Sequence, residues 1–432
     1  MHWSQLISLL GLFGFVAFAW VCGGRGKPSW RILAWGLGLQ LAAGLVVFQL
    51  PQGRSFLVGA NRLVDALLGY SMEGAKMVFG PLGIPPGNEE SMGFFFAFQA
   101  LPAVIFFSSL VGLLYYWGIM GRLVSLLSRL FTKLMKISGA EGLTLSSNIF
   151  IGIESALAIR PYLRKMTSSE LCLVLTAGMA TIASTVLGLY VLMLQEVFPG
   201  IAGHLVSASL ISAPAALVAA KLIFPETGQP ETLGMTVAPY QEKRHNWIEA
   251  ITTSAMDGWK LAVGIAVTLI AFLSLLALLN GGLGWLGSLF GAPQLTLQAL
   301  LAYLFYPATW LMGTHAADVG KVSELLALRL LATEIPAYEQ LATLLADEAF
   351  ADPRSGVIAA YALCGFAHFA SMGIFIGGIS ALEPSRTRDL GALGLRALLA
   401  ATLACLMTGA IAGLLATEDQ ALLMFTPTEN GP

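Results

Sequence analysis

Charge is scarce in this chain: Asp, Glu, Lys and Arg make up only 11% of its 432 residues, less than half the share usual in soluble globular domains. With 56% hydrophobic residues and a mean hydropathy of +0.77, it carries more apolar side chain than a water-soluble core needs, and lipid is the solvent implied. Paired cysteines are missing as well. Cys22, Cys172, Cys364 and Cys405 stand far apart, mostly inside apolar runs. They lack CxxC or Cys/His spacing, which argues against a metal module and leaves packed thiols. No basic tract accompanies the formal net charge of −2, so nucleic acid is not an expected partner. Nor does a basic segment precede the first apolar run: Arg25, Lys27 and Arg31 follow it. That run therefore reads as a retained first span with the N-terminus outside, not as a secretory signal.

Long apolar runs are what the chain does have. Residues 6–20, 32–50, 94–120, 171–194, 261–279, 357–379 and 397–415 each approach or exceed the roughly 20 residues with which a helix spans a bilayer. Barrel strands would be about half as long. The fold class expected is an all-α polytopic membrane protein. Basic residues collect on the cytoplasmic side of spans, which groups Arg25/Lys27/Arg31, Arg122/Arg129/Lys133/Lys136, Arg160/Arg164/Lys165, Lys221/Lys243/Arg244/Lys260 and Arg386/Arg388/Arg396 on one face. This grouping requires eight transmembrane helices with both termini outside. It also requires two apolar segments that enter and leave on the same side.

The first such segment is SGAEGLTLSSNIFIGIESALAI, residues 138–159, whose middle holds Ser146, Ser147, Asn148, Gly152 and Glu154. The second, residues 322–345, carries Thr333, Glu334 and Pro336, the last expected to break the helix. Polar groups at such depth must line a protein cavity, and unpaired carboxylates there are costly. Each hairpin follows an amphipathic stretch (123–137; 297–311) and precedes two apolar spans, the pattern of an inverted repeat whose re-entrant hairpins meet near the midplane. Two spans are interrupted too, by Thr181, Ser184 and Thr185 in ATIAST and by Gly365, His368, Ser371 and Gly373 in CGFAHFASMG. Unwound backbone there frees carbonyls for a cation; small residues also permit close helix packing. The organisation expected is N-terminal spans and scaffold (1–120), a first repeat (121–225), a cytoplasmic loop and scaffold span (226–290), a second repeat (291–418) and a tail (419–432). His2, His204, His245 and His315 fall at span ends or in loops and read as solvated or interfacial. Trp3, Trp20, Trp30 and Trp247 fit interfacial belts, and Asp257 with Lys260 reads as a local pair.

Taken together, DPRSGVIAAYALCGFAHFASMGIFIGGISAL, SSNIFIG followed by AIRPYL, MATIASTVLGLY, and WLMG followed by TEIPAY resemble the concentrative nucleoside transporter family over most of the chain. The resemblance implies a homotrimer of eight-span protomers in the bacterial inner membrane, with periplasmic termini and an elevator-like movement of a transport domain. It implies no cofactor but a coupling sodium ion, held by Asn148, Ile151, Thr181 and Ile182, oxygen donors suited to a hard cation. For the substrate it implies Glu334, Phe366 and Ser371, with Thr333 and His368 standing where the family has Asn, and Val186 on the helix after the first hairpin. The family's first tip reads Gly-Gln-Thr-Glu or similar; here it is Gly152-Ile153-Glu154, one residue shorter. Glu154 keeps the carboxylate position if the gap precedes it, and Ser155 takes that position if there is no gap.

The function expected is sodium-coupled symport of a nucleoside or nucleoside-like solute, not enzymatic turnover. Proton coupling is the alternative within transport, since Glu154, Glu334 and His368 can each take a proton. A changed substrate is the alternative within the family. An intramembrane hydrolase built on Ser371 and His368 is poorly supported, because no nucleophile motif surrounds them. A receptor or passive channel would bind without pumping.

Overall fold

The computed structural model describes all residues except 1–2, 28, 87–89, 153–154, 241–243, 293, 419 and 422–432. Among the described residues the chain is helical, without β-strands. Four helices open it: α1 (Trp3–Cys22), α2 (Trp30–Gln49), α3 (Pro51–Phe79) and α4 (Phe96–Tyr116). A first series follows: α5 (Ile119–Met135), α6 (Gly139–Asn148), α7 (Ser155–Ala158), α8 (Arg160–Leu163), α9 (Ser168–Ala180), α10 (Ser184–Leu194) and α11 (Ile201–Ile223). The long α12 (Trp247–Ser288) leads to a second: α13 (Leu297–Leu311), α14 (Val319–Leu331), α15 (Glu334–Ala346), α16 (Pro353–Leu363), α17 (Phe369–Leu382) and α18 (Thr387–Leu415).

Among the described residues, seven segments are long and apolar enough to cross a membrane. They differ in what they face. In the most apolar 18 residues of Ser168–Leu194 and of Pro384–Leu415, 94% are buried inside the molecule, whereas in those of Trp247–Ser288 only 11% are, and that helix turns its Ile, Leu and Val side chains outward. Where helix leans on helix in lipid, small residues permit the approach. Ser108 and Gly112 of α4 meet Gly258 and Ser254 of α12 reciprocally, and a Cβ on either glycine would overlap the facing serine. Helix α3 was not anticipated as an element: its charges spoil an apolar run, and it buries only a stripe of Gly53, Val64, Leu68, Ser71 and Ala75.

Two polar contacts show where the chain doubles back. Ser138 Oγ, at the start of α6, donates to Glu170 Oε1 at the start of α9 (2.5 Å). The segment between them therefore returns to its point of entry. Asp318, before α14, accepts from the backbone amides of Ala351 (2.9 Å) and Asp352 (3.1 Å), before α16. That second segment returns as well. The two points of entry lie at opposite ends of the molecule. Buried Arg354 joins the second to the start of α1 through Ser4 Oγ (2.7 Å) and to the end of α18 through Ala416 O (2.9 Å). At the other end Arg386 reaches Met166 O (2.7 Å), just ahead of α9.

Two expectations change. Pro336 breaks nothing, because α14 has already ended at Leu331 and the proline sits in the first turn of α15, where a missing N–H is tolerated. His204 is neither solvated nor interfacial: it is buried in α11, with Nδ1 2.9 Å from the Tyr361 hydroxyl and Phe48 and Phe198 around its ring. The expected local pair Asp257–Lys260 is present at 3.0 Å, and residues 225–240 form a loop that packs on the first hairpin through Gly139 N to Thr232 O (2.8 Å) and Tyr240 N to Ala158 O (2.9 Å).

Candidate functional site

The first hairpin starts from a capping box, Ser138 with Glu141, which satisfies amides that would otherwise be stranded at a buried helix start. Every residue of α6 is buried, and the helix ends at Asn148. There the amide orientation is fixed: Nδ2 donates to Thr144 O (2.9 Å), so Oδ1 turns to the tip and accepts from Ser155 Oγ (2.9 Å).

The tip is stitched to the break between α9 and α10. Thr181 and Ala183 are extended, in a stretch where β-branched Thr181, Ile182 and Thr185 weaken helical preference. Thr181 Oγ1 lies 3.1 Å from Asn148 O and 2.9 Å from Ala177 O. Ser184 donates from both N and Oγ to Phe150 O. Asn148 and Thr181 are thus in contact, with Ile151 one turn on and Ile182 next in chain; both are buried. Ile153 and Glu154 lie outside the described residues.

The second break, between α16 and α17, depends on Gly365. Its φ of +146° is one that L side chains rarely adopt, and a Cβ would stand 2.7 Å from Cys405 Sγ and 2.8 Å from Ala180 O. His368 then caps α17: its Nδ1 accepts from Ser371 N (3.1 Å). The acceptor nitrogen carries no proton, so the ring proton sits on Nε2. Nε2 lies 2.9 Å from Glu334 Oε2. Ser371 Oγ is turned back on backbone, close to Phe366 O and 2.8 Å from His368 O.

Glu334 opens α15 at the tip of the second hairpin and is 3% exposed. Its Oε1 accepts from the Tyr190 hydroxyl at 2.6 Å, and Tyr190 packs against Tyr338 with the rings tilted and their centroids 5.1 Å apart. Oε2 has no aligned hydrogen-bond donor, and neither Thr333 Oγ1 nor Thr185 Oγ1 has a partner. The expected residues Glu334, His368, Ser371 and Phe366 therefore form one chain of contacts, with Thr333 adjoining it. Val186 is buried on α10. Tyr190 was missed, although a tyrosine within the apolar run TVLGLYVL is itself a signal, since a buried phenol needs a partner.

A cavity of about 560 Å³ adjoins the first tip, lined among others by Ser108, Tyr115, Ile151, Thr185, Asp257 and Arg244. Its volume is within the range of small-molecule sites.

Comparison with known proteins gives a consistent picture. Residues 10–82 and 204–413 match the models described as Na+ dependent nucleoside transporter N-terminus and C-terminus, and residues 97–196 match one described as nucleoside recognition. Solute carrier family 28 member 3 of Rattus norvegicus is 38% identical over 97% of this chain and 60% of its own length. An uncharacterized transporter of Haemophilus influenzae is 36% identical over 95% and 98%. The chain spans about 60% of the length of the mammalian relatives named solute carrier family 28 member 3. The solved structure of CNTnw in an inward-facing substrate-bound state superposes with a TM-score of 0.86 at 34% identity, covering 95% of this chain and 98% of that one.

Proposed function

Because the chain belongs to the concentrative nucleoside transporter family, whose members are transporters rather than enzymes, we propose that it is a sodium-coupled nucleoside symporter. The observation that carries the reading is the buried pair of Glu334 and His368 at the second tip, with Oε2 2.9 Å from Nε2. A buried carboxylate is expensive in a membrane interior unless it is well satisfied, and a carboxylate oxygen has a further lone pair for a sugar hydroxyl beside the imidazole. In this reading one hydroxyl donates to Glu334 Oε2 and accepts from His368 Nε2, while Phe366 and Val186 pack apolar faces and Thr333 supplies a further polar contact. Ile153 and Glu154 are given to the substrate by the family motif alone.

Sodium is the second cargo. Asn148 Oδ1, Thr181 Oγ1 and the carbonyls of Ile151 and Ile182 would hold it, a set of hard oxygens fitting a hard ion. Since the same tip closes on the solute, filling one site completes the other, and that is coupling. Proton coupling through His368 is less well supported, because its Nδ1 is committed to the cap of α17. The reading extends to eight spans with two re-entrant hairpins, a homotrimer in the bacterial inner membrane with periplasmic termini, and an elevator-like movement. It is supported by the two returning segments, by their entry from opposite ends, and by the outward apolar face of α12.

Uptake of radiolabelled nucleosides into proteoliposomes tests it. An inward sodium gradient at equal pH should drive accumulation above equilibrium. Accumulation driven by a proton gradient without sodium would overturn the coupling ion, and no accumulation of any nucleoside would overturn the substrate.

A further inference from the structure

The motif gives Ser155 no part in cation binding; without a gap in the tip it stands only at the family's carboxylate position. It is 3% exposed, and its hydroxyl lies 2.9 Å from Asn148 Oδ1. Asn148 Nδ2 is bound to Thr144 O, so the amide cannot flip and Oδ1 stays directed at Ser155. Thr181 Oγ1 lies on the same residue's backbone oxygen. Side chains from the second arm of the hairpin and from the α9–α10 break therefore meet at Asn148, Ser155 at its side-chain oxygen and Thr181 at its backbone oxygen.

We infer that Ser155 Oγ is a direct ligand of the coupling cation, added to the set of Asn148, Ile151, Thr181 and Ile182; this rests on the sodium-coupled reading above. Without the cation, the hydroxyl donates its proton to Asn148 Oδ1 and keeps two electronegative atoms from facing each other unpaired. With the cation, the hydroxyl rotates and directs a lone pair at the ion, as hard cations require several oxygens. Both arms of the hairpin are then tied to one charge.

The two roles open to Ser155 predict opposite signs. As a ligand, its loss weakens sodium binding; as a mere cap on Asn148, its loss removes a bond the ion must break, and sodium binds as well or better. The melting temperature of the purified protein, followed against sodium chloride with choline chloride holding ionic strength constant, reads the half-saturating sodium concentration without any transport. Ser155→Ala should raise it about tenfold or more, the scale of losing one charged-group contact. Ser155→Thr, which keeps the oxygen, should stay near wild type. Ser155→Cys, which keeps the shape but offers a soft sulfur, should behave like Ser155→Ala and so separates ligation from packing. An unchanged or lower half-saturating concentration in Ser155→Ala overturns the inference alone. A wild-type protein that sodium does not stabilise beyond choline overturns the coupling reading and this inference with it.

Discussion

One carboxylate serves three elements in this protein: Glu334 of α15 is held by Tyr190 of α10 at one oxygen and faces His368, the cap of α17, with the other. Tyr190→Phe should leave Oε1 without its donor and weaken nucleoside binding by about 10- to 100-fold, the range for hydrogen bonds to charged groups, as read by isothermal titration in saturating sodium. Glu334→Gln should abolish binding, since an amide offers only one acceptor where tyrosine and solute both donate. His368→Asn keeps a side chain able to cap α17 through its oxygen and turns an NH2 with two donors to the site in place of the single Nε2–H, so selectivity should move toward ordinary nucleosides. Unchanged affinities in all three variants would remove this cluster from the site. Arg329 has a different place. It is fully buried on α14 and donates to Ala362 O (2.5 Å), in the last turn of α16. A guanidinium there offsets the negative end of the interrupted helix.

At the scale of elements, the broken helices are as specifically built as the continuous ones. The α16–α17 break needs φ > 0 at Gly365 and has no room for a methyl group between Cys405 and Ala180. Gly365→Ala should therefore cost about 1–3 kcal/mol in strain with the steric clash in addition. The expected signs are a lowered melting temperature and lost uptake, while Gly373→Ala, where nothing lies within 4 Å, should be tolerated. The two interruptions were legible because small hydroxyl residues and glycine collect there. The position of the second hairpin's turn was not: Pro336 drew the break toward itself, whereas the chain turns at Ala332 and Thr333, before the proline. Helix α3 escaped notice because periodicity with charges every few residues does not resemble a lipid-facing span.

For the molecule as a whole, the cavity between α4, α10, α12 and the first tip predicts accessibility from one side. Ser254 lines it, near the basic end of α12. In a Cys22→Ser background, Ser254→Cys should react with a membrane-impermeant maleimide in inside-out vesicles and not in right-side-out ones. Sodium with nucleoside should slow the labelling; equal labelling from both sides would contradict a closed outer path.

The sequence by itself determined the solvent and the helical class and pointed to two segments that turn back, because hydropathy, Lys/Arg placement and the cost of polar groups in hydrocarbon are properties of the chain read along its length. It also marked Glu334, His368, Asn148 and Thr181 as residues that apolar surroundings do not explain. Only the tertiary structure decided which atoms of these residues are spent and which are spare. Tyr190 on Glu334, Ser371 N on His368 and Ser155 on Asn148 are contacts between side chains or caps set by how the hairpins fold against the broken helices. Hydrogen bonds act over about 3 Å, a distance to which residues 144 positions apart, such as Tyr190 and Glu334, are brought by packing alone.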